Sequence, residues 1–184
     1  MNKLVYISSL IAFFMTFVVS CKKEEANKLT EFDINYSTNL TIPSASMTVS
    51  NPSVTPTTVE FTTPNVPTQQ SSKFSSEGTA KNLIDEIKMT KFDVSVSSGN
   101  LDFLKSLTVY IKAVNVGEQM VATKSNIPVG ATSVSMDMQD VNIKDFIFQD
   151  NIKFRVVATF DATAATDQTL KMDETVHVSA TLLK

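Results

Sequence analysis

The chain has no tryptophan, one cysteine, one histidine, one arginine and only four glycines, and each shortage removes a class of chemistry. Cys21 stands alone, so no disulfide can close within one chain and no cysteine cluster can hold zinc. His177 is the only histidine, so a hydrolase with a histidine base would have to use it, and no serine sits in a G-x-S-x-G turn. On the polar side of a C-terminal alternation, His177 reads as a solvated surface residue. Gly78, Gly99, Gly117 and Gly130 are scattered and build no phosphate loop. Arg155 is the sole arginine, where nucleic-acid binding usually shows a basic patch with several. Without tryptophan, and with only Tyr36 and Tyr110 beyond the first segment, the aromatic platforms that commonly hold polysaccharide are missing. Two acidic groups remain: Asp137, Asp140, Asp145 and Asp150, then Asp161, Asp167, Asp173 and Glu174. Calcium takes oxygen ligands of this kind, but neither group has the D-x-[DN]-x-[DN]-G pattern, so they read as solvated carboxylates at strand ends. No cofactor or metal is implied.

What is present begins with the first segment. Lys3 precedes an apolar run from Leu4 to Val19, broken only by Ser8, Ser9 and Thr16. A membrane-spanning helix needs about 20 such residues, whereas a signal-peptide apolar region is shorter. The run ends in Val18-Val19-Ser20-Cys21, with Lys22-Lys23-Glu24-Glu25 directly after it. This resembles the signal peptide and lipobox of a bacterial lipoprotein. Ser20 supplies the small residue at the cut, and Val18 departs from the usual leucine. The resemblance implies that residues 1–20 are removed and that Cys21 becomes the first mature residue, with lipid on its sulfur and its amine. Each buried lipid methylene contributes about 0.8 kcal/mol, and one chain alone holds only marginally. Lys23, Glu24 and Glu25 are similar to the lysine-then-acidic signal that sends lipoproteins of the Bacteroidota to the outer face of the outer membrane. That likeness implies a surface address.

The rest alternates with period two, rich in threonine, valine and serine, as strands are. Residues 21–30 read as a polar tether and 31–184 as one domain, large enough for a core. Losing Lys3 leaves 15 basic residues against 19 acidic ones, a formal net charge of −4. Phe32, Ile34, Tyr36, Leu40 and Ile42 predict a long strand ended by Pro43; Met47 with Val49, and Val59 with Phe61, predict shorter ones. Residues 62–78 read as a long loop within the domain, with Val66 and Phe74 apolar enough to pack. Ala80, Leu83, Ile84 and Ile87 predict a helix over about 79–86, with Thr79 as its N-cap. Met89 is then out of phase with Phe92, Val94 and Val96, which a bulge near Thr90-Lys91 would repair. Further strands follow through Leu107–Ala113, Met120–Ala122, Val134–Met138, Ile152–Phe160 and Val176–Leu182. Asn142 is placed to cap one helical turn that buries Phe146 and Ile147.

About eight strands with one buried face each predict an all-β fold, an antiparallel two-sheet sandwich of immunoglobulin-like or jelly-roll kind, with one or two short helices. NLIDEIKMTKFDVSVSS, NLDFLKSLTVYIKA and KFRVVATFDATAATDQTLKMDETVHVSATLL resemble a recurring pattern in uncharacterised β-sandwich lipoproteins of the Bacteroidota. The likeness spans most of residues 30–184 and implies a fold and an address, not a chemistry. The expectation is therefore a binding or structural module rather than an enzyme. It would be anchored to the outer membrane through Cys21, with an envelope protein or glycan as partner and no nucleic acid. Residues 62–78 and 161–174 are the candidate binding loops. The alternative is an envelope hydrolase built on carboxylates, which would need two of them across one bond.

Overall fold

A computed structural model describes residues 29–47 and 56–182. Cys21, Lys23, Glu24 and Glu25 lie outside these residues, as do Val49, Asn51 and Pro52. The described residues form ten strands: β1 (Leu29–Ile42), β2 (Thr57–Thr62), β3 (Val66–Pro67), β4 (Ile84–Val96), β5 (Leu104–Ala113), β6 (Gly117–Ser125), β7 (Ser133–Ser135), β8 (Asp137–Met138), β9 (Asn151–Phe160) and β10 (Gln168–Thr181). Two short helices, α1 (Gln70–Ser76) and α2 (Lys144–Ile147), join them. One sheet has the order β1-β10-β4-β7; the other has the order β2-β9-β5-β6-β8, with β3 also on β9. The pairings are antiparallel, and the two sheets pack as a sandwich.

Alternation decides which side of each strand is buried. Ile152, Phe154, Val156, Ala158 and Phe160 of β9 face inward, as do Leu107, Val109 and Ile111 of β5. Phe92 of β4 meets Phe154 edge-on, with ring centroids 5.4 Å apart, so the two sheets lock ring against ring. The ladders slip at a few places: β6 at Val121 and β5 at Lys105 each carry one extra residue, and β4 slips twice. Thr175 pairs with Lys91 but Val176 pairs with Met89, leaving Thr90 as the extra residue of a bulge. A second slip leaves Asp85 unpaired between Ile84 and Glu86. Two bulges therefore bring even Ile84, odd Ile87 and Met89, and even Phe92 and Val94 onto one buried face.

The helix expected over 79–86 does not form. Lys81–Leu83 is a single 3-10 turn and the strand starts at Ile84. Ile84 and Ile87 find more apolar partners in register with Ala180 and Val178 than a solvated helix face would offer. Thr79 caps nothing; its hydroxyl donates to the Thr181 carbonyl at 2.7 Å. The helix of this region is α1, inside the stretch read as loop. Its serines bond back onto the preceding turn, Ser72 to Gln69 and Ser75 to Ser71, which gives little intrinsic helix preference. Burial of Phe74 between Phe32 and Phe148 holds it, at centroid distances of 6.3 and 6.1 Å. Gly78, at φ +68°, ends it in the left-handed conformation that lets the Thr79 N–H return to the Phe74 carbonyl.

Other expectations hold with changed boundaries. β1 begins at Leu29, inside the stretch read as tether, because Leu29 and Thr30 pair with Thr181 and Ala180. Met47 is fully buried but sits on a 3-10 turn, Ser44–Met47, rather than a strand. Val134, Met136 and Met138 alternate as expected, yet the segment changes sheets midway: β7 pairs with β4 and β8 with β6. The Asn142 side chain accepts from the Lys144 N–H at 3.1 Å and from the Ile87 N–H at 3.2 Å, so it holds the first N–H of α2 from one residue before the N-cap, Ile143, and ties the helix to β4.

Register fixes the two ends of the sandwich. Leu29, Thr181 and Ile84 lie at one end of the first sheet; Ile42, Gln168 and Val96 lie at the other. The connections 97–103, 126–132 and 161–167 gather at this second end, far from Leu29, and bond to one another. The Leu101 N–H donates to the Ala131 carbonyl at 2.7 Å, the Asp161 N–H to Phe103 at 3.4 Å, and the Ser44 N–H to the Asp167 carboxylate at 2.8 Å.

Candidate functional site

The polar residues that the sequence singled out converge most on the outer face of the four-stranded sheet. Side chains alternate strictly, so once Ile34, Val176 and Phe92 point inward, Asp33, Asn35, Ser37, Asp173, Thr175 and His177 point outward. Register aligns them in rows across the sheet: Asp33, His177 and Lys88; Asn35, Thr175 and Lys91; Ser37, Asp173, Asp93 and Ser135. A shallow depression lies here, lined by Asn35, Ser37, Lys91, Asp173 and Thr175 together with Tyr36 and Glu174.

Two carboxylates, Asp93 and Asp173, lie directly opposite each other in the third row. Such pairs run acid–base chemistry when one of them stays protonated, and here neither does. Partial burial pushes the Asp93 carboxyl upward, but hydrogen bonds from Lys91 and Ser135 outweigh it and hold it below its usual range. Lys91 Nζ is 2.7 Å from Asp93 Oδ2. Hydrogen bonds from Lys171, at 2.7 Å, and from Ser37 hold Asp173 low as well. Both carboxylates are ionised at neutral pH, so the row accepts hydrogen bonds and attracts cations but has no proton to give.

His177 occupies the first row, partly exposed. Its Nδ1 is 2.9 Å from Asp33 Oδ1 and its Nε2 is 3.9 Å from Glu31 Oε2. A nucleophile triad needs a hydroxyl or thiol on the second ring nitrogen; a carboxylate stands there instead. Lys88, next in the row, bridges Glu86 at 3.2 Å and Asp140 at 2.7 Å. The remaining carboxylates are dispersed: Asp137 pairs with Lys124 at 3.1 Å, and Asp167 holds the Ser44 N–H. Among the described residues no three His, Cys, Asp or Glu side chains converge as a metal site.

The sole arginine is bound on the opposite face of the sandwich. Arg155 makes two hydrogen bonds to Glu118, at 3.0 and 2.7 Å, and one to Glu60 at 3.1 Å. Its guanidinium stacks 4.0 Å from the centre of the Tyr110 ring. One side chain thus pins β2, β9, β5 and β6 together, with its charge met by two carboxylates.

Glu174 corrects the sequence reading. It belongs to no solvated acidic group: it lies on the inward face of β10 between Met172 and Val176, 1% exposed, and neither carboxylate oxygen has a hydrogen-bond partner. Its neighbours in register are Tyr36 and Phe92. Tyr36 directs its hydroxyl to the Thr68 carbonyl at 3.2 Å, and Phe92 has nothing to offer. Burial, with repulsion from Asp173 behind it, pushes the Glu174 carboxyl up to about 8. The signal was present in the sequence, since Glu174 shares the parity of Val176, Val178 and Ala180.

The expected binding segments lie at opposite ends. Residues 62–78 are not an open loop; they contain β3 and α1, bury Val66 and Phe74, and sit at the Leu29 end. Residues 161–167 join the loops at the far end, whereas Gln168 onward is strand. Val129, 94% exposed, is the tip of that loop cluster.

No family model and no curated protein sequence matches the chain. Among solved structures it is similar to a chain described as Desmodium yellow mottle tymovirus, at 10% identity and a TM-score of 0.29, over 86% of this chain and 92% of that one. A likeness of that degree bears on neither fold nor function.

Proposed function

We propose that the protein is a lipid-anchored module of a bacterial cell envelope, held to the outer membrane by lipid on Cys21 and facing outward, where it binds or scaffolds a partner. The observation that carries this reading is the polarity of the sandwich. Leu29, where a tether from Cys21 would enter, lies at the end opposite to the connections 97–103, 126–132 and 161–167. A chain anchored there would hold those loops away from the membrane, as binding loops on a rigid scaffold are commonly held. A binding role is favoured over a carboxylate hydrolase because Asp93 and Asp173, which face each other across the sheet, are both held ionised.

Anchoring is tested at Cys21. Cys21→Ala is expected to abolish incorporation of radiolabelled palmitate and to release the protein from the membrane or leave an uncleaved precursor. Equal label in the variant would remove the lipid from the reading. The outward address is tested separately. Replacing Glu24 and Glu25 by alanine should protect the protein from protease added to intact cells; unchanged shaving would show that these residues are not the export signal, and a wild-type protein that resists shaving would overturn the outward address.

A further inference from the structure

We infer that the edge of β1 that pairs with no described strand is a strand-addition site that takes an extended partner segment alternating basic and apolar residues. Among the described residues, the two sheets end in four edges, and three of them are short. β7 has three residues, β8 two and β2 six. β1 has 14, and its register on β10 runs unbroken from Leu29 opposite Thr181 to Ile42 opposite Gln168. Proteins usually blunt such an edge with charges, a proline or a bulge; LTEFDINYSTNLTI has no proline, lysine or bulge, and its only charges are Glu31 and Asp33 near one end. Half of the backbone N–H and C=O groups of an edge strand point away from its one partner. Among the described residues, no backbone hydrogen bond joins β1 to any element but β10.

Charge selects the occupant. Along the outward side of β1, Glu31 and Asp33 are followed by the neutral Asn35, Ser37, Asn39 and Thr41. The two acidic side chains are 66% and 56% exposed and share one neighbour, His177. A second copy of the chain would serve them poorly. Paired in parallel, two β1 strands set acid against acid; paired antiparallel about their centre, they set acid against asparagine and threonine. A strand with lysine or arginine opposite Glu31 and Asp33 neutralises both, since opposite charges across a strand pair attract and like ones repel. On the inward side, half-buried Phe32 above the Phe74 ring presents an apolar rim to the alternate residues of the incoming strand. The inference names a partner class, and it stands whether or not the chain is anchored.

The test uses the full chain in neutral detergent and a labelled synthetic peptide of alternating lysine and valine, about ten residues long. Fluorescence anisotropy should show saturable binding. The double variant Glu31→Lys, Asp33→Lys should weaken it about tenfold or more, and Glu31→Gln, Asp33→Asn less. Both acidic residues are exposed, and circular dichroism checks that the variants stay folded. Two peptides N-methylated on alternate backbone nitrogens, one in each phase, separate strand addition from charge adsorption: one of them should fail to bind with its charge intact. Four results overturn the inference: no saturable binding, equal binding by both methylated peptides, equal binding when glutamate replaces lysine in the peptide, or a stable dimer of the chain alone by sedimentation.

Discussion

Replacing Glu174 by glutamine should leave stability nearly unchanged at about pH 4 and raise it above that of the wild type by roughly 3–5 kcal/mol at about pH 9. The sign follows from where the proton sits. In the unfolded chain the carboxyl ionises near 4.5, but in the folded protein burial keeps it protonated up to about 8. Between those values the folded state holds a proton that the unfolded state has released, so stability falls as pH rises through this window. Above it the folded state must bury a charge with no hydrogen-bond donor. Glutamine keeps the shape and the unpaired polar atoms but removes the ionisation, so its stability curve should be flat across the window. Urea midpoints at the two pH values measure the difference, and parallel curves for the two proteins would show that the Glu174 carboxylate reaches water. Asp93 and Asp173 act in the opposite sense. Held below their usual range, they lose their contribution only as pH falls through the folded values, on the acid side of the Glu174 window.

Phe154→Ala should cost about 3–5 kcal/mol, the usual range for removing a fully buried ring. Phe154 is completely enclosed and meets Phe92 edge-on at 5.4 Å, so alanine removes both the buried area and the ring contact that joins the sheets. Neighbouring strands are held by their ladders and cannot collapse into the space. Phe61→Ala should cost less, because Phe61 is half-buried on β2, an edge strand, although it also meets a ring, Phe160, at 6.3 Å. Chemical denaturation of the two variants gives the comparison, and equal losses would mean that the sheet centre relaxes as freely as its edge.

Much of this architecture was legible because one-sided burial writes itself into a strand with period two. Phe32 to Ile42, Leu107 to Ala113 and Ile152 to Phe160 each carried that pattern, and the phase break between Met89 and Phe92 revealed the bulge at Thr90 before any pairing was known. The position of α1 was illegible for the opposite reason, although the turn of α2 after Asn142 was readable. The segment from Ala80 to Ile87 has helical spacing, yet β10 beside it supplies Val178 and Ala180 as partners. QSSKFSS has little helical preference, yet Phe74 has a socket between two rings. Local pattern could not report what distant strands would offer.

By itself, the sequence determined the all-β class and the inward face of most strands, since these depend on side-chain type and spacing along the chain. Tertiary structure alone decided which strands are neighbours. Register set Asp93 against Asp173 and His177 between two carboxylates, left the long edge of β1 without a partner among the described strands, and placed Leu29 at the end away from the loops. Those pairs join residues from 80 to more than 140 positions apart, and loop closure leaves no local trace of them. Glu174 stands between the two: its parity was written in the sequence, but only the packing of Tyr36 and Phe92 beside it withheld a partner from its carboxylate.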